Sequence, residues 1–344
     1  THIGKAIIKE ENLVKALITE LVEAYGPSGS EGPVRELIRG HVQPLCDECR
    51  VDALGNLIAH KRGDGSGRKV MLAAHMDEIG VVVTHVDEKG FLRFGPIGGV
   101  NPLALTGSRV LFANGVQGTL WREGPWTSDE KPTLDKMFID VGAASKEELT
   151  VGVGDVACFY RPLVDLGKRL MAKAFDDRIA CAVLVQTLRE LGQTPHDVYF
   201  VFTVQEEVGL RGAETATYGI SPDLGIAVDV TLAADTPEAD HLNMALGKGP
   251  CIKVKDRGML AHPGVKNLLV ETAERLGLPY QLEVLLLGTT DAMAMQVSQS
   301  GIPVGTVSIA TRYVHTPSEM VDYDDVLNSV KLLVGLLSAP IRLA

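Results

Sequence analysis

"VYFVFTVQEEVGLRG", residues 198–212, runs from a strand straight into two adjacent carboxylates. Its first seven residues are almost all apolar and rich in Val and Phe, the texture of a strand buried inside a sheet. Glu206 and Glu207 follow directly. Two carboxylates at the end of a buried strand repel each other, and burying them unpaired is costly. The plain reading of such a pair is a solvated turn opening an exposed helix. Only the rest of the chain can show that this pair is different.

Working outward, helix-like and strand-like segments alternate on both sides of that stretch. Strand "RKVMLAA" delivers "HMDEIG", and helix "RIACAVLVQTLREL" precedes the 198–204 strand. Helix "LRGAETATYG" and strand "LGIAVDV" follow it. Helix "PGVKNLLVETAERLG", strand "LEVLLL", helix "AMAMQVSQ", strand "PVGTVSI" and helix "YDDVLNSVKLLVGLL" complete the series. Near the start, Leu13, Val14, Leu17, Ile18, Leu21 and Val22 form the stripe of an amphipathic helix. "VRELIRGHV" resumes helical spacing, and "CRVDALGNLIAHKRG" reads as a hairpin turning at Gly55-Asn56.

Between residues 80 and 166 the texture changes. "VVVTHV", "FLRFG", "SRVLFA", "VQGTLW", "MFIDVG" and "VACFY" are short strand-like runs, and only "SKEEL" offers a helical turn. Short strands with regular turn signals predict a small barrel or sandwich. The expected organisation is therefore an α/β catalytic domain in two parts, 1–79 and 167–344, interrupted by a β-rich insertion at 80–166. The length of 344 residues agrees with two domains.

Composition excludes some functions. A net charge of -11 argues against nucleic acid or an anionic membrane as partner. Neither a signal-peptide core nor a bilayer-spanning apolar stretch is evident, which points to a cytoplasmic enzyme. Cys46, Cys49, Cys158, Cys181 and Cys251 are odd in number and scattered, which favours reduced thiols. "CDEC" has a metal or redox spacing but no second pair, so two side chains at a helix-to-strand junction are expected there.

Four further places resemble the Glu206-Glu207 stretch, each setting a metal-type ligand at a strand end or helix start. His75 and Asp77 follow "KVMLAA", Asp176 and Asp177 follow "MAKAF", Asp229 ends "LGIAVDV", and His315 stands in "TRYVHTP". In an open α/β sheet the carboxyl ends of the strands meet at one crevice. So many acids on one rim repel one another without a cation. Mixed His and carboxylate ligands suit zinc, cobalt or manganese, and the lack of Cys argues against a structural zinc site. Metal can hold one glutamate and leave the other free to act on water.

Taken in order, "HMDEIG", "AFDDR", "VQEEVGLRGA", "AVDVT", "GTTDA" and "TRYVHTPSEMV" resemble the tetrahedral dinuclear metallo-aminopeptidases. That family contains glutamyl, leucyl and deblocking aminopeptidases, and some members have been labelled endoglucanases. The resemblance covers essentially the whole chain. It implies a zinc-exopeptidase type of α/β fold, a mixed sheet flanked by helices, with a small inserted β-barrel-like domain that mediates dimerisation. It implies two divalent ions per subunit, zinc or cobalt, with Asp176 bridging them. His75 and Asp229 would complete one site, and Glu207 and His315 the other. Glu206 would be the general base, Asp77 would orient His75, and Asp177 would sit beside the bridge without binding metal. Substrates would be peptides with a free N-terminus, and dimers would assemble into a hollow tetrahedral dodecamer. Met293 and Met295 after Asp291, and "RIACAV" after the Asp pair, depart from the usual small residues and bear on the shape of the substrate pocket.

Asp291 reads either as a pocket residue or as a helix N-cap. Arg312 and Lys173 could offer positive charge to a substrate or serve structure alone. Two rival functions carry distinct signals. A glycoside hydrolase also uses paired carboxylates, but it needs neither His75 nor His315, and only 5% of residues are aromatic. A non-catalytic binding protein on the same fold would have little use for Glu206.

Overall fold

The structure is a computed structural model that describes residues 2–125, 130–239 and 242–343, with side chains from residue 13 onward. The chain opens with α1 (His2–Glu23), α2 (Gly32–Val42), β1 (Glu48–Val51), β2 (Leu57–Lys61) and β3 (Lys69–His75). Six strands follow: β4 (Gly80–Val86), β5 (Leu92–Ile97), β6 (Arg109–Phe112), β7 (Gln117–Arg122), β8 (Met137–Asp140) and β9 (Val156–Phe159). Then come β10 (Val164–Asp165), β11 (Arg169–Ala172), α3 (Phe175–Glu190), β12 (Asp197–Thr203), α4 (Arg211–Ile220) and β13 (Leu224–Leu232). The last elements are β14 (Cys251–Lys255), α5 (Pro263–Leu276), β15 (Gln281–Val284), α6 (Asp291–Gln296), β16 (Val304–Arg312), β17 (Glu319–Asp322) and α7 (Tyr323–Leu337).

The six runs expected in the insertion are the six strands of a closed antiparallel barrel, in the order β4-β5-β8-β7-β6-β9. Alternate residues such as Val81, Val83, Leu92, Val110, Leu120 and Ile139 fill its interior. Closure removes the free edges that six short strands would otherwise present. "SKEEL" supplies a 3-10 turn at Lys146–Glu148, but not the sole one expected, since Pro102–Ala104 and Leu134–Lys136 form two more.

The remaining strands make one 11-stranded mixed sheet, β1-β2-β12-β3-β13-β16-β17-β11-β10, with β14 and β15 branching from β16. At its centre β12, β3, β13 and β16 run parallel, with Thr203 opposite His75 and Asp229 opposite Ser308. Helices cover both faces. Val70, Leu72, Phe200, Phe202, Ile226 and Val228 face α1, α2, α3, α5 and α7 in the main core. Met71, Ala73, Val201 and Ala227 face α4 and α6 in a smaller one. Burial on both faces is why these central strands read as continuous apolar runs.

Four short strands were absent from the sequence reading: β10, β11, β14 and β17. Each is short and carries a charged residue that breaks up any apolar run, Asp165, Arg169, Lys253 and Glu319 among them, and β11 pairs with β17, and β14 with β15, across long stretches of chain. "LEVLLL" is strand only as far as Val284. Among the described residues no helix is long and apolar enough to cross a membrane.

Candidate metal centre and catalytic carboxylates

The four parallel strands end on one rim, and that rim carries the acids and imidazoles. His75 is the last residue of β3, Asp229 lies near the end of β13, and Glu206-Glu207 follow β12. His315 follows β16, and Asp176-Asp177 open α3. This crevice is where open α/β sheets bind ligands.

Asp176 stands between two imidazoles. Its Oδ1 is 3.0 Å from His75 Nε2, and its Oδ2 is 3.1 Å from His315 Nε2. Glu207 Oε1 is also 3.1 Å from His315 Nε2, and Glu206 Oε2 is 3.9 Å from His75 Nε2. The far nitrogen of each ring faces a backbone carbonyl: His75 Nδ1 lies 3.0 Å from Asp77 O, and His315 Nδ1 lies 3.0 Å from Gly99 O. A carbonyl can only accept, so each Nδ1 carries the proton and donates it. Each neutral ring then points its Nε2 lone pair at carboxylate oxygens. Lone pair against lone pair at that distance demands a cation, either a proton on the ring or a metal ion. Two groups of donor atoms lie within 4.8 Å of one another, His75-Asp176-Glu207 and His75-Glu206-Asp229. Glu207 Oε1 is buried without a hydrogen bond of its own. The donor set therefore fits divalent metal.

The charges tell the same story. Burial would raise the Asp176 carboxyl, but His315 and His75 beside it hold it well below the usual range. Burial pushes Glu206 and Asp229 well above theirs, with carboxylate neighbours adding to the effect. Burial also works against protonated imidazole, yet Asp176 and Glu207 drive His315 up to about 12. With protein groups alone, the rim becomes neutral only by taking up protons.

Supporting groups hold this geometry. Asp77 is fully buried and accepts from Ser28 Oγ at 2.6 Å, Glu206 N at 3.0 Å and Glu207 N at 3.2 Å. It thus fixes the backbone of the glutamate pair as well as lying against His75. Glu31 accepts from Gln205 N at 3.1 Å, clamping a residue whose φ is 56°. Glu319, buried on β17, accepts from Asp176 N at 3.0 Å and His315 N at 2.9 Å. Asp177 accepts from His75 N at 3.1 Å. Gln205, His315 and Ala174 all hold left-handed backbone without being glycine, a strain that clusters at functional sites. The barrel also takes part, since Gly98 and Gly99 of its β5–β6 connection lie directly against Glu207 and His315.

Comparison with known proteins identifies the family. Residues 55–332 match the M42 glutamyl aminopeptidase family. The chain belongs to that family. A putative aminopeptidase of Acetivibrio thermocellus is 49% identical over 94% of this chain and 98% of its own. The lysyl aminopeptidase of Pyrococcus furiosus is 37% identical over 93% of this chain and 96% of its own. Among solved structures, an aminopeptidase from Desulfurococcus kamchatkensis superposes with a TM-score of 0.94 at 40% identity, covering 96% of each chain. The Pyrococcus horikoshii TET1 peptidase, described as assembling into a tetrahedron or a large octahedral shell, gives 0.85 at 30% identity, over 94% of this chain and 99% of that one.

In this M42 chain a cavity of about 280 Å³ opens from the rim. Its lining contains His75, Asp176, Glu206, Glu207, Asp229 and His315, and continues into Val230, Leu232, Leu285, Leu287 and Val314. Neither Asp291 nor Arg312 is part of that wall. Asp291 is buried, its Oδ2 accepts from Thr203 Oγ1 at 2.6 Å, and burial pushes it up to about 6. It is also not the N-cap of α6; Thr290 is, accepting from Ala292 N. Arg312 is engaged by both oxygens of Asp235 at 2.8 Å. Lys173 is buried against Glu78, with both oxygens at 2.8 Å. The charges of both cations are already matched by protein. Cys46 and Cys49 lie at the junction of a 3-10 turn and β1, and burial raises both thiols, Cys46 to about 11, opposite to a reactive thiolate.

Glu319, Glu31 and Lys253 carry weight that the sequence reading did not assign. "TRYVHTPSEMV" contains Glu319 four residues past His315, but its work is to accept two backbone N–H groups that only the fold brings together.

Proposed function

We propose that this chain is a metal-dependent aminopeptidase that removes the N-terminal residue of peptides. The observation that carries the reading is the pair of imidazole Nε2 atoms aimed at the two oxygens of Asp176. His75, Asp176 and Asp229 would hold one divalent ion, and Asp176, Glu207 and His315 the other, with zinc or cobalt suited to both. Such ions supply Lewis acidity toward the scissile carbonyl and acidify a water to a pKa of about 7.

The protein's own part centres on Glu206. Its side chain is 11% exposed against 5% for Glu207, and it stands 3.9 Å from the nearest imidazole where Glu207 is at 3.1 Å. Glu206 is thus the looser of the two and faces the cavity. There it takes a proton from the attacking water and returns it to the leaving amine. Asp77 keeps Glu206 and Glu207 on their respective sides through the two backbone N–H groups it accepts. The surrounding carboxylates suit the α-ammonium group of a peptide, a charge-assisted contact. We also propose self-association through dimers into a tetrahedral shell; the Pyrococcus horikoshii relative is described as able to assemble into a tetrahedron or a large octahedral shell.

The test is protein stripped by a chelator, then reloaded with zinc or cobalt and given a free peptide and its N-acetylated form. Loss of hydrolysis on stripping, recovery on reloading, and sequential release of single residues from the free peptide are expected. The acetylated form should be on the order of hundredfold poorer in kcat/KM. Internal fragments appearing first by mass spectrometry would overturn the assignment.

A further inference from the structure

The cavity wall beyond the metal centre is built mainly from Val230, Leu232, Leu285, Leu287 and Val314, with one charged side chain among them, Lys253. That lysine is buried, and its partners sit behind it. Its Nζ is 3.0 Å from Glu283 Oε1 and 3.5 Å from Asp256 Oδ2. Lys253 and Glu283 are register partners on the parallel strands β14 and β15, so the sheet itself brings them together. Glu283 is fully buried, is not on the cavity wall, and accepts from Thr231 Oγ1 at 2.7 Å. Asp256 Oδ1 is taken up by the N–H groups of Gly258 and Met259 and by Thr289 Oγ1.

One ammonium is therefore matched by two carboxylates within the wall. An acidic substrate side chain would meet a lysine whose charge is already cancelled, beside a rim rich in carboxylates. A basic side chain would meet the ammonium first, with Glu283 screened behind it. An aliphatic side chain meets neither cost and gains apolar contact.

We infer that this chain prefers peptides whose N-terminal residue is aliphatic, and that Glu283 sets this preference by masking the charge of Lys253. The inference rests on the aminopeptidase reading and names the substrate class of that site. Glu283 is a specificity-positioning residue, since it acts through Lys253 and does not touch the substrate.

The experiment uses metal-loaded enzyme and the p-nitroanilides of Leu, Glu and Lys. Binding of free L-leucine, L-glutamate and L-lysine is measured in parallel by calorimetry. The wild-type chain should favour Leu over Glu and Lys by on the order of hundredfold in kcat/KM, and should bind leucine most tightly. Glu283→Gln removes the nearer of the two carboxylates, leaving the ammonium only partly matched by Asp256, and should raise the Glu:Leu ratio by on the order of tenfold, mainly through KM. The double variant Glu283→Gln/Lys253→Met should restore the Leu preference; it also covers a failure of the single variant to fold. Preference for Glu or Lys in the wild-type chain, or an unchanged Glu:Leu ratio in folded Glu283→Gln, would overturn the inference while leaving the aminopeptidase intact. Absence of hydrolysis of all three substrates would instead sink the aminopeptidase reading. The amino-acid affinities would then decide the pocket's preference alone, with tighter glutamate or lysine counting against it.

Discussion

His315 shows how narrowly single residues set this site. Its Nδ1 rests 3.0 Å from Gly99 O, and a Cβ at Gly99 would fall 2.5 Å from that same nitrogen. Gly99→Ala must therefore displace the ring, which moves Nε2 away from Asp176 and Glu207. Elemental analysis should show weakened loading of one ion per chain, by about 10- to 100-fold in affinity, with the fold retained. Full loading at wild-type affinity would mean that His315 is not a ligand. The candidate ligands were legible in the sequence because His and acid at strand ends is a chemical pattern, and the structure brings those side chains together. Gly99 was not, since its role lies in a contact across more than two hundred residues. Lys253 was hidden for a related reason. "CIKVK" reads as alternating apolar and solvated residues, and only its pairing with Glu283 makes the lysine a buried one.

At the scale of elements, β12 joins the core to the chemistry. Val198, Phe200 and Phe202 face the main core, Val201 faces the smaller one, and Glu206-Glu207 follow directly. Phe200→Ala would remove a fully buried ring and should cost about 3–5 kcal/mol of stability by denaturant unfolding. A cost under about 1 kcal/mol would contradict the two-faced burial of this strand. The central strands were readable for that reason: burial on both faces leaves unbroken apolar runs. The barrel strands were readable from turn spacing. β11 and β17 were not, because they form by pairing with each other across the chain, Arg169 opposite Asp322 and Ala172 opposite Glu319. Their pairing also places Glu319 where it accepts the backbone N–H groups of Asp176 and His315, so this flank of the sheet supports the candidate site.

For the whole molecule, the barrel is more than an appendage. Its β5–β6 connection reaches the rim through Gly98 and Gly99, which joins the inserted unit to the catalytic one. The same unit is proposed to make subunit contacts, so assembly and site integrity should be coupled. Light scattering on the metal-loaded protein should report a closed multi-subunit particle; a monomer at micromolar concentration would refute the proposed assembly. The central claim, two metal ions with Glu206 as the free base beside them, is tested most directly by Glu206→Gln. Metal content and turnover are measured on the same sample. Two ions per chain with hydrolysis reduced by roughly 10²- to 10⁴-fold is the predicted result. Loss of an ion would make Glu206 a ligand, and near-normal turnover with both ions bound would remove it as the base.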